Sequence, residues 1–353
     1  MTSDSRCRKP SSVQTSKLFS LAVAVLFCGA PLAAQTPSFV SFDAPGAGPN
    51  GTVPSSMNQN GAIAGWYSDA AGWCMALFAP RPVRSRNSIL PVLTDTFAVS
   101  INIKGQIAGF AARTVNHTSH THGFLRGQNG QFVGVDFPGA ADTSPESIND
   151  SGEVTGTYDD SGGVFHGFLR SASGTYTSFD APNSGTGRSQ GTVGSSINGT
   201  SAIAGYYSDS NSISHGFVRD QSGNITSFDV PGAGGSGTFA NSINASGEVT
   251  GTYADNNSMA HSYLRDASGN IVPIDMPGAD QTFAATINDQ GVIAGEVTKG
   301  AAFAGFRRDA SGNFRTVPVP VQNHGSFAIG ITNLGRTTGA YVDLSGVTHG
   351  FVE

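Results

Sequence analysis

The sequence predicts an all-β fold, a seven-bladed β-propeller of four-stranded blades whose ring is closed by the N-terminal strand joining the last blade. Three observations carry this expectation: the composition, an internal repeat, and period-two alternation within the repeat. Of 353 residues, 47 are Gly and only 12% are charged. That Gly share is roughly twice the usual ~7%. Gly weakens helices, and the strong helix formers Lys and Glu are scarce, so a helical protein is disfavoured.

The N-terminal segment is set aside from the fold first. Arg6, Arg8, Lys9 and Lys17 form a basic region, Leu18 to Ala30 an apolar stretch, and Ala33-Ala34 a small-residue site before Gln35. This is the layout of a secretory signal peptide over residues 1–34. The alternatives are an uncleaved anchor, for which the apolar core is short, and a lipoprotein modified at Cys28, for which Phe27 is a poor preceding residue. Residues 35–353 would then be a single secreted domain, extracellular or periplasmic. That mature chain would carry 15 Lys+Arg against 24 Asp+Glu, a net charge of −9, with Lys104 and Lys299 its only lysines. So acidic a surface argues against nucleic acid or an anionic membrane as partner. Cys74 would be the one cysteine left, without an intrachain partner.

The repeat is the dominant signal. One unit reads F-D-x-P-G-A, a variable stretch, S-I-N-x-x-G-x-V-x-G-x-Y-x-D, a second variable stretch, and H-G-F-L-R-x-x-x-G-x. Its central glycine recurs as Gly65, Gly109, Gly156, Gly205, Gly251, Gly295 and Gly339, at intervals of 44 to 49 residues. Each unit reads as four short strands. In the third copy these are Phe132 to Asp136, Ser147 to Asn149, Glu153 to Tyr158 and Phe165 to Arg170, with β-branched and aromatic residues at period two and Gly, Asn, Asp or Ser at the ends. Four strands in about 45 residues is a propeller-blade signature; a β-solenoid is the alternative. Tight Asn-Asp-Ser-Gly and Ala-Ser-Gly-Asn turns mark hairpins inside a blade. The longer Pro-Gly-Ala connection is the crossing between blades. A blade therefore runs Ser-Ile-Asn innermost, then Val-x-Gly-x-Tyr, then His-Gly-Phe, then Phe-Asp outermost. The chain ends on a His-Gly-Phe strand, so residues 38–43 should supply the outer strand of the blade formed by residues 325–353 and cover its edge.

The units resemble the extracellular HAF-type repeat family of bacterial secreted proteins. The resemblance lies in Ser147-Ile148-Asn149-Asp150-Ser151-Gly152-Glu153-Val154-Thr155-Gly156 and His166-Gly167-Phe168-Leu169, and covers residues 39 to 353. His-Gly-Phe replaces the family's His-Ala-Phe. The resemblance implies a secreted repeat fold and no particular reaction.

Most chemistry-bearing residues recur from copy to copy and read first as scaffold. His122, His166, His215, His261 and His349 hold equivalent places, with Cys74 and Ala304 in copies one and six. Asp43, Asp136, Asp180, Asp229 and Asp275 close the outer strands as turn formers and candidate partners of those histidines. Asp69, Asp160, Asp209, Asp255 and Asp343, in the Tyr-x-Asp loops, offer the hard oxygen donors that suit calcium or a sugar; turn capping is the plainer role. Calcium is the only cofactor these loops suggest, and none is required. Arg126, Arg170, Arg219, Arg265 and Arg308 repeat after Gly-Phe-Leu. His117, His120 and His122 are a candidate zinc or copper group. The seven central glycines sit inside a strand at a cost of about 0.5–1 kcal/mol each, which implies close approach of a neighbour.

No unique carboxylate pair of glycosidase type stands out, and no nucleophile elbow is present. The breaks in the repeat are Trp66-Tyr67 with Trp73, the basic insertion Arg81 to Asn87, and the loop His117 to Thr121. The function expected is a monomeric, non-enzymatic scaffold binding extracellular glycan or protein on the face that carries the long loops. The alternative is an extracellular polysaccharide hydrolase or lyase on the same scaffold.

Overall fold

The structure, a computed structural model, describes residues 39–81, 84–87, 95–115, 118–320 and 323–353. The proposed signal segment and His117 lie outside them. The described residues form a β-propeller built from antiparallel four-strand units. In one unit, Asp142–Ile148, Val154–Asp159, Phe165–Arg170 and Tyr176–Phe179 pair in chain order. The innermost strands pack side by side, and the first of them, Ala47–Met57, packs against the last, Asn323–Ile331.

Seven separate four-stranded blades were expected. Hydrogen bonding instead gives five four-stranded sheets and one eight-stranded sheet. The merger comes from a parallel bridge of Phe165 to Gly191. Gly191 has φ +115, and a Cβ there would collide with the Phe165 carbonyl. Lacking a side chain, its backbone closes onto the neighbouring strand. Ser214 and Gly237 form a second such bridge. At the corresponding joint elsewhere a side chain keeps the sheets apart: Asp95 accepts from the Cys74 N–H at 3.0 Å, and Gln281 from Ala260 at 3.1 Å. Among the described residues no continuous backbone ladder runs around the disc.

The first described strand, Val40–Phe42, pairs antiparallel with the last, Thr348–Val352, in the register Val40 to Val352, Ser41 to Phe351 and Phe42 to Gly350. Phe39 stacks on Phe351 at 5.5 Å. The basic insertion makes more than a longer turn: Arg84–Asn87 pairs with Cys74–Arg81 as the outer strand of the first sheet.

The core lies between neighbouring sheets. Phe168, Phe217, Tyr263, Phe306 and Phe351 are wholly buried on third strands. Opposite each ring stands a central glycine: Gly156 pairs with Phe168, Gly205 with Phe217, Gly295 with Phe306. A Cβ on Gly205 would lie 2.8 Å from the Phe217 ring and would also strike the Val193 carbonyl. The carbonyl intrudes because each innermost strand carries a β-bulge at this level, for example between Pro145 and Ser147 and between Gly194 and Ser196. The same close approach recurs at Gly65, Gly109, Gly251 and Gly339. The glycines are thus a packing requirement of a bulged strand, under an aromatic ring in every copy but the first, where Leu77 stands opposite Gly65.

One alignment made on the sequence changes. Tyr67 pairs with Met75 as Tyr158 pairs with His166, so Met75, and not Cys74, takes the histidine place in the first copy.

Candidate functional site

The long-loop face is built from one polar unit repeated with small variations. In the fourth copy, Asp209 begins the loop after the second strand. Its Oδ1 accepts from the Asn211 and Ile213 amides at 2.8 and 2.9 Å. Its Oδ2 lies 3.8 Å from His215 Nε2. The other imidazole nitrogen, Nδ1, lies 2.8 Å from Asp229 Oδ1. Against a carboxylate, that nitrogen must donate. The ring stacks on Tyr207 at 4.9 Å. Strand alternation explains the set: Tyr207 and His215 are cross-strand partners on one face, where aromatic side chains meet.

The unit recurs as Asp160, His166, Asp180 and Tyr158, as Asp255, His261, Asp275 and Tyr253, and as Asp343, His349, Asp43 and Tyr341. The Nδ1 contacts are 3.0, 2.8 and 2.9 Å, and the Nε2 contacts 3.7, 3.6 and 3.2 Å. In the last of these Asp43 comes from the N-terminal segment, so the unit spans both ends of the described chain. Backbone amides hold the Asp160, Asp209 and Asp255 carboxyls below the usual range. The Ser345 hydroxyl and the Val347 amide do the same, more strongly, for Asp343. Burial alone would lower the His349 pKa, but its bonds to Asp343 and Asp43 outweigh that and raise it.

The remaining copies are incomplete. Asp69 keeps its turn, accepting from Ala71 and Trp73 amides at 2.9 Å each, but faces Met75. His122 keeps Asp136 at 3.2 Å. His120 turns to Asp142 at 3.6 Å, so His120 and His122 lean on different carboxylates instead of converging. Among the described residues no trio of His, Cys, Asp or Glu is arranged to hold a metal ion. The loop aspartates therefore spend their oxygens on turn amides and imidazole.

A series of buried links between copies was not singled out in the sequence. Each Asn of Ser-x-Asn donates from Nδ2 to the backbone carbonyl of its counterpart in the next copy. The series runs Asn58 to Asn102, Asn102 to Asn149, Asn149 to Asn198, Asn198 to Asn244, Asn244 to Asn288 and Asn288 to Thr332, all buried, at 2.8–3.1 Å. Between last and first copies the bond is different: the Asn333 amide donates to Gln59 Oε1 at 2.6 Å. The serines add Ile148 N–H to Ser100 Oγ, Ile197 to Ser147 and Ile243 to Ser196, at 3.2–3.3 Å. The signal was available: equivalent residues of different blades can touch only near the axis, and Ser-x-Asn is the innermost strand.

Sequence comparison matches the chain to no protein-family model and to no curated protein. Structural comparison finds propellers. A streptogramin B lyase superposes with TM-score 0.54 at 14% identity, over 89% of this chain and 97% of that one. The propeller domain of the Trilobed protease from Pyrococcus furiosus, described as having an open velcro topology, gives 0.55 at 9%, over 85% and 92%. The lectin BP39L from Burkholderia pseudomallei gives 0.52 at 11%, over 83% and 92%. At these identities the likeness establishes the fold alone: the chain is a β-propeller repeat protein, a scaffold on which sites are grafted.

Proposed function

We propose that this protein is a secreted, non-enzymatic binding scaffold that engages repetitive extracellular glycans through its long-loop face. The observation that carries the reading is the repetition of the Asp-His-Asp-Tyr unit. Four copies, three of them successive and the fourth the last, display the same half-buried imidazole, the same carboxylate-capped loop and the same aromatic stack. A polymer of identical sugars meets such a surface as several equal contacts, and linked contacts gain avidity without any one being tight. The exposed Trp73 on the Asp69 turn, 38% accessible, adds an aromatic surface of the kind that stacks on sugar rings. One of the similar solved propellers is a lectin, which supports the choice of ligand.

The same reading counts the eight-stranded sheet as two blades, for seven in all. It takes the Val40–Phe42 strand as the closure of the ring and residues 1–34 as a cleaved secretion signal. A glycan array probed with the purified protein tests it. Binding to a polysaccharide at least tenfold tighter than to its monosaccharide, weakened by the double variant His215→Ala, His261→Ala, is the expected result. No glycan binding, with cleavage of a polysaccharide in its place, would select the hydrolase or lyase.

A further inference from the structure

One place on the molecule breaks the repeat three times at once. Arg307 and Arg315 are direct cross-strand partners in the sixth copy. By register, Arg307 stands where other copies have Leu125, Leu169, Val218 and Leu264. Arg315 stands where they have Val133, Thr177, Thr226 and Val272. Glu353, bridged to Thr337 by two backbone bonds, takes the place of the repeated Arg126, Arg170, Arg219 and Arg265. Charges have replaced an apolar inter-blade contact and a scaffold arginine at a single seam, between the sixth and last copies.

The side-chain charges there do not balance. Glu353, with a side chain 1% exposed, puts Oε1 2.7 Å from Arg315 Nη1. The approach lacks hydrogen-bond alignment, since neither carboxylate oxygen of Glu353 has a hydrogen-bond partner; it is a close ion pair. Asp309 is committed to its turn, accepting from the Asn313 amide and side chain at 2.9 and 3.0 Å. Arg308 is spent on the Phe314 ring and the Asp309 carbonyl. Two guanidiniums therefore face a single side-chain carboxylate. Arg307 Nε is buried with no hydrogen-bond partner, as is the Nε of the scaffold arginines Arg126, Arg170, Arg219 and Arg265. Burial first, and then the like charge of Arg315, depress the Arg307 pKa, with Glu353 opposing. Beside them lies a cavity of about 110 Å³ lined by Val292, Arg307, Asp309, Asn313, Phe314 and Arg315. At roughly 30 Å³ per water, that is room for one oxyanion or carboxylate group.

We propose that this seam is an anion site in which Arg307 and Arg315 together hold one carboxylate or tetrahedral oxyanion. Paired guanidiniums match the geometry of such groups, each offering parallel N–H donors. The anion completes the charge that Glu353 leaves unbalanced. The site is separate from the long-loop aspartates and does not depend on the glycan reading.

Thermal melting and titration calorimetry of the full protein, at matched ionic strength, test the proposal with sulfate, phosphate and glucuronate against chloride and glucose. Any of the three test anions should raise the melting temperature where chloride and glucose do not. Preference for glucuronate would mark the carboxylate of an acidic sugar as the source; preference for sulfate or phosphate would mark a free oxyanion. Arg315→Ala, at a half-exposed position, should weaken binding at least tenfold. Glu353→Gln should strengthen it at least fivefold, by removing the competing carboxylate. A purely structural cluster would behave otherwise: both variants would melt lower and no anion would shift either. That outcome, or wild-type binding unchanged in Arg315→Ala, overturns the proposal.

Discussion

Replacing Asn149 with Ala should loosen the protein at its axis. Asn149 Nδ2 donates to the Asn198 carbonyl at 3.0 Å and to Glu153 Oε2 at 2.7 Å. Its Oδ1 accepts from the amides of Ser151, Gly152 and Glu153 at 3.0–3.1 Å. The Asn198 carbonyl keeps its bond from Ser201, so no acceptor is orphaned there. The loss is then one neutral buried bond at about 1 kcal/mol, one charge-assisted bond at about 1.5 kcal/mol, and part of the amide capping, about 3 kcal/mol together. For a domain of this size about 2 °C is lost per kcal/mol, so calorimetry should show a fall of about 6 °C. Asn60 offers the control. It also reaches the next copy, from Nδ2 to the Ile103 carbonyl at 3.2 Å, but in solvent; Asn60→Ala should cost about 0.5 kcal/mol or less. Asn149→Asp keeps the capping oxygen and loses the donor, which separates the two contributions. Asn149→Ala melting within 1 °C of wild type, or no lower than Asn60→Ala, would refute the axial role.

Three further outcomes follow from the same geometry. Gly205→Val should lower stability by about 3 kcal/mol, because the obstacles are the Val193 backbone and the buried Phe217 ring, which cannot swing away; unchanged urea unfolding would disprove the packing account. Asp159 is raised to about 7 by burial first, then by Asp142 and Asp160. A carboxyl raised in the folded state costs stability from its unfolded value of about 4 up to the folded one, and no more above it, so Asp159→Asn should gain about 1–2 kcal/mol at pH 8, after discounting for solvent, a smaller part of that at pH 5, and nothing at pH 3. His349 is raised, so its contribution is full below the unfolded value near 6.5 and fades as pH rises through the folded one; His349→Gln should flatten the melting profile of the protein between pH 6 and 8, and an unaltered profile would remove His349 from the pH response.

How far the sequence could be read depended on whether a residue's partner lay within its own repeat. Strand order, the hairpin turns and the pairing of His166 with Asp180 are local, fixed by period-two alternation and turn chemistry within about fifteen residues. The requirement for glycine at Gly156 was legible as a cost without its cause, because the bulge after Pro145 leaves no sequence mark of its own. The merger of two four-strand units through Phe165 and Gly191 was not legible, since a single glycine in a variable crossing decides it. The shift of the first-copy alignment by one residue, which gives Met75 the histidine place, shows the same limit. The Arg307, Arg315 and Glu353 cluster was hidden because its members belong to two strands of one copy and the residue after the last strand of another, and Arg307 adjoins an arginine, Arg308, that looked like the repeat.

Repetition and function pull against each other in this fold. A residue present in most copies is first accounted for by what every copy needs: Asn at the axis, Gly beneath the ring, His between carboxylates. Its recurrence can serve binding only if the ligand also repeats, which is why the ligand proposed for the long-loop face is a polymer. A ligand without internal repetition has to be met where the copies differ. The joint between neighbouring sheets shows how little it takes to differ: Gly191 admits a backbone bridge, Asp95 substitutes a carboxylate, and the scaffold tolerates both because the axial asparagines hold register on either side. The seam at Arg307 goes further, exchanging apolar contact for unbalanced charge. Such an exchange costs stability at a buried joint unless something completes it, so at this seam the departure from the repeat is itself the argument for a bound anion.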